Sequence, residues 1–205
     1  MQAHALILAA GEGRRFGGDK LYAPYRGRPL LSYVLDVVAA ARKRGLLDGG
    51  HVVVAAGDDR GVTLARGAGL EPIINNAPEL GLSHSVRLGL AALETRRPEP
   101  AQAALVFLGD QPLVRSDVVE ALVTAWREGG GAVIRPRYAD SPGTPGHPLL
   151  VARAIWTRAH ALEGDQGLGA VLDSSPSETV TLDVKGDNPD VDTQRDLDAL
   201  EESSG

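Results

Sequence analysis

The sequence predicts an α/β protein: a single doubly wound, mostly parallel sheet with helices on both faces. Three observations carry that prediction. Short apolar runs recur at Ala5–Ala9, His51–Ala56 and Ala104–Leu108, as strands buried on both faces require. Segments with apolar residues at helical spacing separate them. The length, 205 residues, suits one domain able to bury a large core. Residues 1–202 are expected to form that domain, with 203–205 a frayed tail.

Ala5–Ala9 runs into glycines and reads as the first strand. After a glycine-rich loop, Pro29 suits a first helical position, and Leu30, Leu31, Val34, Leu35, Val38 and Ala41 share a helix face. Arg42, Lys43 and Arg44 fill the last turn, where cations offset the carbonyl end, and Gly45 stops the helix. Strands follow at His51–Ala56 and Pro72–Asn75, then a helix at Ser83–Leu93. Ala104–Leu108 is a strand that delivers Gly109-Asp110. Ser116 is expected to cap a helix with Val118, Val119, Leu122, Val123 and Trp126 on its buried face. Weaker strands are Ala132–Arg137, Pro148–Val151 and Thr179–Val184. Helices fill Arg153–Leu162, Gln166–Leu172 and Gln194–Glu201, the last with capping-box spacing at Thr193 and Asp196. Ligands on such sheets bind beyond the carboxyl ends of the strands, where strand order reverses. The segment Ser141–Pro148 reads as a loop laid over that edge.

Composition narrows the chemistry. The absence of cysteine excludes a disulfide scaffold, a thiolate zinc site, a redox CxxC and a cysteine nucleophile. With 21 basic and 27 acidic side chains the net charge is −6, which argues against non-specific nucleic-acid binding. Five histidines show no HExxH or other paired-ligand spacing. Ala5–Ala10 is too short for a membrane span, and no basic region precedes it, so a soluble cytoplasmic protein is expected. Glycine, 25 of 205 residues against a usual share of about 7%, implies many turns and close backbone approaches.

The most informative stretch is LAAGEGRRFGGDK, Leu8–Lys20. Gly11, Gly13, Gly17 and Gly18 clear side chains from a loop leaving a strand, so amides can approach an anion. Arg14, Arg15 and Lys20 add positive charge; the same residues also suit an ordinary glycine turn with surface bases. A Walker A loop is a poor match, because Asp19 precedes Lys20 and Leu21 follows where a hydroxyl is needed. The dinucleotide fingerprint fails on spacing, and Asp58 comes too late for it. Asp110 stands at the end of an apolar strand, and Asp192 just before the last helix. Each could hold Mg²⁺, which takes one or two carboxylates plus substrate phosphates, and each could equally cap a turn or helix. Glycine loop and strand-end carboxylates together suggest a nucleoside triphosphate with Mg²⁺. GLSHS, Gly81–Ser85, lacks the last glycine of a hydrolase elbow, and helix capping is the plainer role for Ser83 and Ser85.

These stretches, in order, resemble the motifs of the MobA-like nucleotidyltransferases, most of all the molybdenum cofactor cytidylyltransferase branch. Leu8–Lys20 is similar to LAAGxSxRMGxxK, and NNAPELGLSHSVRLGL, Asn75–Leu90, to a segment with asparagine and then GlySer-x-Ser. GDQP at Gly109–Pro112, GHP at Gly146–Pro148, GDQG at Gly164–Gly167 and DVDTQRDL at Asp190–Leu197 follow, so the resemblance runs from Leu8 to about Leu200. Phe16 replaces the usual methionine, Glu12-Gly13 replaces the common pair, and Gly18-Asp19-Lys20 leans toward guanylyl transfer. LAAG and GDQP lean toward cytidylyl transfer.

The resemblance implies a Rossmann-like nucleotidyltransferase fold and Mg²⁺-dependent transfer of NMP from an NTP to molybdopterin, with CTP favoured over GTP. It implies catalytic roles for Arg15, Lys20 and Asp110, and Mg²⁺ on Asp110 and Asp192. The amides from Ala10 to Gly18, with Gly11, Gly13, Arg14, Gly17 and Gly18 among them, would hold the triphosphate. Ala9, Ala10, Asn76, Ser83 and Ser85 would surround base and ribose. His147 and the turn Gly164, Asp165, Gln166, Gly167 would face the acceptor, although His147 could simply hydrogen-bond across its own loop. A molybdoenzyme or cofactor chaperone would be the protein partner. The alternatives are transfer to another phosphorylated small acceptor, such as a phospholactate or phosphosugar, and a non-catalytic nucleotide- or cofactor-binding module. No acceptor code is readable in Pro136–Pro148.

Overall fold

A computed structural model describes residues 2–11, 13–95, 98–144, 146–169 and 178–203. Glu12, Pro145, the expected helix from residue 170 onward and the tail beyond Ser203 lie outside the described residues. In chain order the elements are β1 (Ala3–Ala9), β2 (Pro24–Tyr25), β3 (Arg28–Pro29), α1 (Leu30–Lys43), β4 (Gly49–Ala55), α2 (Asp59–Gly67) and β5 (Glu71–Asn75). There follow α3 (Leu82–Thr95), β6 (Ala103–Leu108), α4 (Ser116–Arg127), β7 (Val133–Tyr138), β8 (Leu149–Ala152), β9 (Thr179–Val184) and a last helix, here α5 (Gln194–Glu202).

Seven strands form one sheet in the order β5-β4-β1-β6-β8-β7-β9; β2 and β3 form a separate small hairpin. β1 pairs in parallel with β4 on one side and β6 on the other, and β8 is the antiparallel member, set between β6 and β7. The doubly wound, mostly parallel sheet is therefore present. The chain steps outward from β1 through β4 to β5, then crosses back to place β6 on the opposite edge of β1. That reversal sets the loops after β1 and β6 side by side at the carboxyl edge.

Alternation along β1 explains the two-sided core. Ala3, Ala5, Ile7 and Ala9 pack with Leu31, Val34, Val38, Val118 and Leu122 of α1 and α4. Leu6 and Leu8 pack with Val86, Leu90 and Leu93 of α3 and with Trp156. Each such aliphatic side chain contributes about 1.5–3 kcal/mol by leaving water. α3 lies close on the sheet because Gly89 has no side chain: a Cβ there would stand 2.3 Å from Leu6 Cδ1.

Several elements differ from expectation. Helix α2 was not legible in the pattern, because only Gly61 and Ala65 of it are buried. Ser116 begins α4 instead of capping it; Arg115 holds the cap position with no side-chain hydrogen bond. Pro29 sits at the cap of α1, one residue outside it, and Arg153–Ala161 winds as a 3₁₀ helix. The Thr193/Asp196 capping box is formed in full. Among the described residues no helix is long and apolar enough to cross a membrane.

Candidate active site

The loop after β1 folds on itself. Phe16 N–H and Gly18 N–H donate to the Gly13 carbonyl at 2.9 and 3.2 Å, and Gly17 N–H donates to the Arg14 carbonyl at 3.3 Å. These three amides are committed to the loop's own turn, which Gly13 enters at φ +59°. The first half of the loop, Gly11 and Gly13–Arg15, lines a cleft of about 430 Å³, the size of a small-molecule site. Gly17 and Gly18 shape the turn and do not line it.

Lys20 comes next, at the start of a single 3₁₀ turn. Its Nζ lies 2.6 Å from Asp110 Oδ2 and 3.1 Å from Asp192 Oδ1, while Arg15 Nη1 donates to Asp192 Oδ2 at 3.0 Å. Burial alone would pull the ammonium pKa down, but the Asp110 and Asp192 carboxylates outweigh it, and the value is raised above 10.5. Lys20 is therefore a fixed cation at neutral pH. Among the described residues Asp110 Oδ2 takes the lysine, and Oδ1 is buried with no hydrogen-bond partner. Its own carbonyl accepts from Val191 N–H at 3.1 Å, which docks the 190–192 segment beside it. Thr193, not Asp192, caps α5, so the Asp192 carboxylate stays turned to Lys20 and Arg15.

A third carboxylate that the sequence reading passed over, Asp190, also lines the cleft. Gln111 Nε2 donates to its Oδ1 at 2.8 Å; burial, and then the charges of Asp110 and Asp192, push its carboxyl pKa up. Buried Gln111 continues the network. Asn188 Nδ2 donates to Gln111 Oε1 and to the His147 carbonyl, both at 3.2 Å, and Tyr138 Oη donates to that carbonyl at 2.8 Å. His147, in a cis peptide with Pro148, has its imidazole pushed down to about 4 by burial and by the nearby Arg135 charge. It is neutral at physiological pH.

The opposite wall is the 78–82 segment, Ser85 and Asp165. Ser85 Oγ accepts from Asn75 Nδ2 at 3.0 Å, and Asn75 Oδ1 accepts from Ala77 N–H at 2.9 Å. Asn75 is wholly buried, whereas Asn76 is exposed and does not line the cleft. Ser83 and Ser85 both lie in the first turn of α3; Ser83 is buried and also outside the lining. Ala9 and Ala10 form part of the floor. The expected acceptor residues rest on different elements. His147 joins the Asp190 side through Asn188 and Gln111, while the Gly164 carbonyl accepts from Ser83 N–H at 3.0 Å, seating Asp165 on α3. Gln166 is exposed, its Oε1 accepting from Glu163 N–H at 3.1 Å, and Gly167 packs near Leu82. Asn75 could have been found only with the end of β5 known, since its neighbour is the same residue type. Asp190 could have been suspected from its place in the Asp190-Val191-Asp192 alternation.

Residues 5–180 match the family described as MobA-like NTP transferase domain. The bifunctional protein GlmU of Burkholderia lata is 36% identical over 140 residues, covering 67% of this chain and 29% of that protein. The chain thus spans under a third of the length of the curated relatives it matches. Among solved structures, Rv0371c from Mycobacterium tuberculosis H37Rv superposes with a TM-score of 0.79 at 29% identity, covering 98% of each chain. A manganese complex of Rv0371c from the same organism gives 0.75 at 27% identity, covering 99% of this chain and 100% of that one.

Proposed function

The chain belongs to the MobA-like NTP transferase family, and from that premise we propose that it moves a nucleoside monophosphate from an NTP to the phosphate of a small acceptor. The observation that carries this reading is the junction of Lys20, Asp110 and Asp192 at the strand-order reversal, beside the glycine loop. It gathers a fixed cation, a loop backbone open to an anion and hard oxygen donors in one cleft.

The residues present suit a divalent cation. Asp110 Oδ1 is buried and accepts no hydrogen bond among the described residues, and Asp192 faces the same cleft. Two carboxylates are the donor set Mg²⁺ takes when phosphates and water complete its shell. Held by Asp110 and Asp192, Mg²⁺ would neutralise phosphate charge. The protein's own contribution is placement. Gly11 and Gly13–Arg15 face the triphosphate, Lys20 stays charged beside it, and Ser85 and the Pro78–Gly81 turn bound the nucleoside end. An acceptor phosphate oxygen attacks the α-phosphorus in line. The bond from that phosphorus to the bridging oxygen breaks, and pyrophosphate leaves with the electron pair. The nucleophile is already an anion, so no general base is required; positioning and charge stabilisation supply the catalysis. His147 is assigned to the acceptor side by the GHP motif alone; it does not line the cleft.

The motif order favours molybdopterin as acceptor, and LAAG with GDQP favours CTP as donor. The test is incubation with each of the four NTPs, Mg²⁺ and molybdopterin, with parallel arms holding a phospholactate or a phosphosugar. Pyrophosphate release is expected, fastest with CTP and molybdopterin. Release only with another acceptor reassigns the acceptor, and no release in any arm refutes the transferase reading. Asp110→Ala is expected to abolish turnover while unfolding stays cooperative; wild-type turnover would remove Asp110 from the mechanism.

A further inference from the structure

A second cleft, of about 450 Å³, adjoins the first, sharing Ala9, Gly11, Lys20 and Leu21 with it and bounded on the far side by the start of α2. Its polar side chains form one connected set. Arg60 Nη1 lies 3.1 Å from Asp19 Oδ2, and the Arg60 guanidinium sits 3.8 Å from the Tyr22 ring centre. The Tyr22 hydroxyl donates to Asp58 Oδ2, and Asp58 Oδ1 accepts from Gly61 N–H at 2.9 Å. Burial, and then the Asp58 carboxylate, push the phenol pKa up, so Tyr22 remains a donor.

The backbone shows what this set acts on. Asp19 has φ +52°, a left-handed conformation that after glycine suits asparagine and aspartate best, and it directly precedes Lys20. The two adjacent side chains diverge: Lys20 reaches Asp110 and Asp192, and Asp19 reaches Arg60. Asp19 also places a carboxylate, 80% exposed, one residue from the proposed phosphate-binding lysine. Unpaired, that charge would oppose an approaching polyphosphate.

We propose that Arg60 is a positioning residue for the nucleotide loop: it holds the Asp19 turn that aims Lys20 and offsets the Asp19 charge against the bound polyphosphate. The inference rests on the reading of the neighbouring cleft as the nucleotide site. An ion pair this exposed contributes little to folding, so its effect belongs in nucleotide affinity.

The test compares Arg60→Ala, Asp19→Asn and the double variant for NTP KM, kcat and Tm at low and high salt. Asparagine tolerates the left-handed conformation, so Asp19→Asn removes the charge and keeps the turn. Arg60→Ala is expected to raise KM about three- to tenfold at low salt with little change in kcat. Asp19→Asn should raise KM less than Arg60→Ala, since it loses the same pair but also the opposing charge, and the double variant should lie between Arg60→Ala and the wild type. Salt at about 0.5 M should shrink the difference, because these charges are exposed. Unchanged KM in Arg60→Ala overturns the proposal, as does a double variant no better than Arg60→Ala. Hydrogen exchange without nucleotide separates this idea from the transferase reading. Faster exchange at Gly17–Leu21 in Arg60→Ala supports the clamp even if no NTP turns over, and equal exchange overturns it.

Discussion

Replacing Lys20 with methionine keeps most of the stem and deletes the charge. The pair it breaks is short, 2.6 Å to Asp110 Oδ2, and largely buried, the two side chains being 13% and 19% exposed. Removing one partner of a fully buried pair costs about 3–5 kcal/mol, because the other charge is left uncompensated. Here the cleft admits water and Asp192 is 44% exposed, so the expected loss is smaller, about 2–3 kcal/mol. For a chain of this size that is a fall in Tm of roughly 4–12 °C. The assay is urea unfolding at pH 7 with chelator for the wild type, Lys20→Met, Asp110→Asn and the double variant. Asp110→Asn should return much of what Lys20→Met loses, a coupling of about 1–3 kcal/mol. Mg²⁺ should stabilise Lys20→Met more than the wild type, since it binds the freed carboxylates of the native state alone. The sign with pH follows from the raised lysine value: its contribution is complete below pH 10.5 and is lost as pH climbs through the folded-state pKa. Lys20→Met should lack that alkaline limb. A coupling below about 0.5 kcal/mol would refute the reasoning, because the contact would then be incidental.

Three further outcomes follow from the same geometry. Gly81 has φ +85°, and a Cβ there would lie 2.4 Å from the Gly164 carbonyl, so Gly81→Ala should cost roughly 2–4 kcal/mol; wild-type Tm would show that the Asp165 turn does not pack there. His147 titrates near 4 when folded, against 6.5 ordinarily, so the native state binds fewer protons between those values. Its stability contribution is present above pH 6.5 and lost as pH falls through about 4, amounting to at most about 3 kcal/mol; His147→Gln should flatten that part of the stability–pH curve, and an unchanged slope refutes it. Asn75→Ala should cost about 1–3 kcal/mol by stranding the Ala77 amide and the Ser85 hydroxyl, whereas Asn76→Ala should stay within about 0.5, both read from urea midpoints. Equal losses would mean that the wrong asparagine has been placed inside.

Much of the sheet was legible because periodicity is local. β1, β4 and β6 could be located from apolar runs, and α1 from Leu31, Val34, Leu35 and Val38 at helical spacing. Helix α2 escaped because its buried contact is one glycine and one alanine, which leave almost no hydrophobic period. The roles of Gly17 and Gly18 were open for a different reason. Their composition is the same whether their amides meet a ligand or, as found, their own loop. For Asp192, helix cap and cleft carboxylate were equally readable until Thr193 was seen to take the cap. The 164–167 turn and His147 looked like one acceptor set because both resemble family motifs. In the fold the Gly164 carbonyl takes the Ser83 N–H of α3, while the His147 carbonyl is held by Asn188 and Tyr138.

The sequence by itself determined the alternation of strand and helix, the absence of thiol chemistry and the glycine loop with its bases. All of these follow from residue type and near-neighbour spacing. Only the tertiary structure decided that Lys20 meets Asp110, 90 positions away, and Asp192, 172 positions away. It also decided that Asn75 is buried while Asn76 faces water, and that Asp190 lines the cleft. The physical reason is the crossover from β5 to β6. It places two strand ends side by side on a twisted sheet, and no local pattern in either segment records its neighbour across that edge.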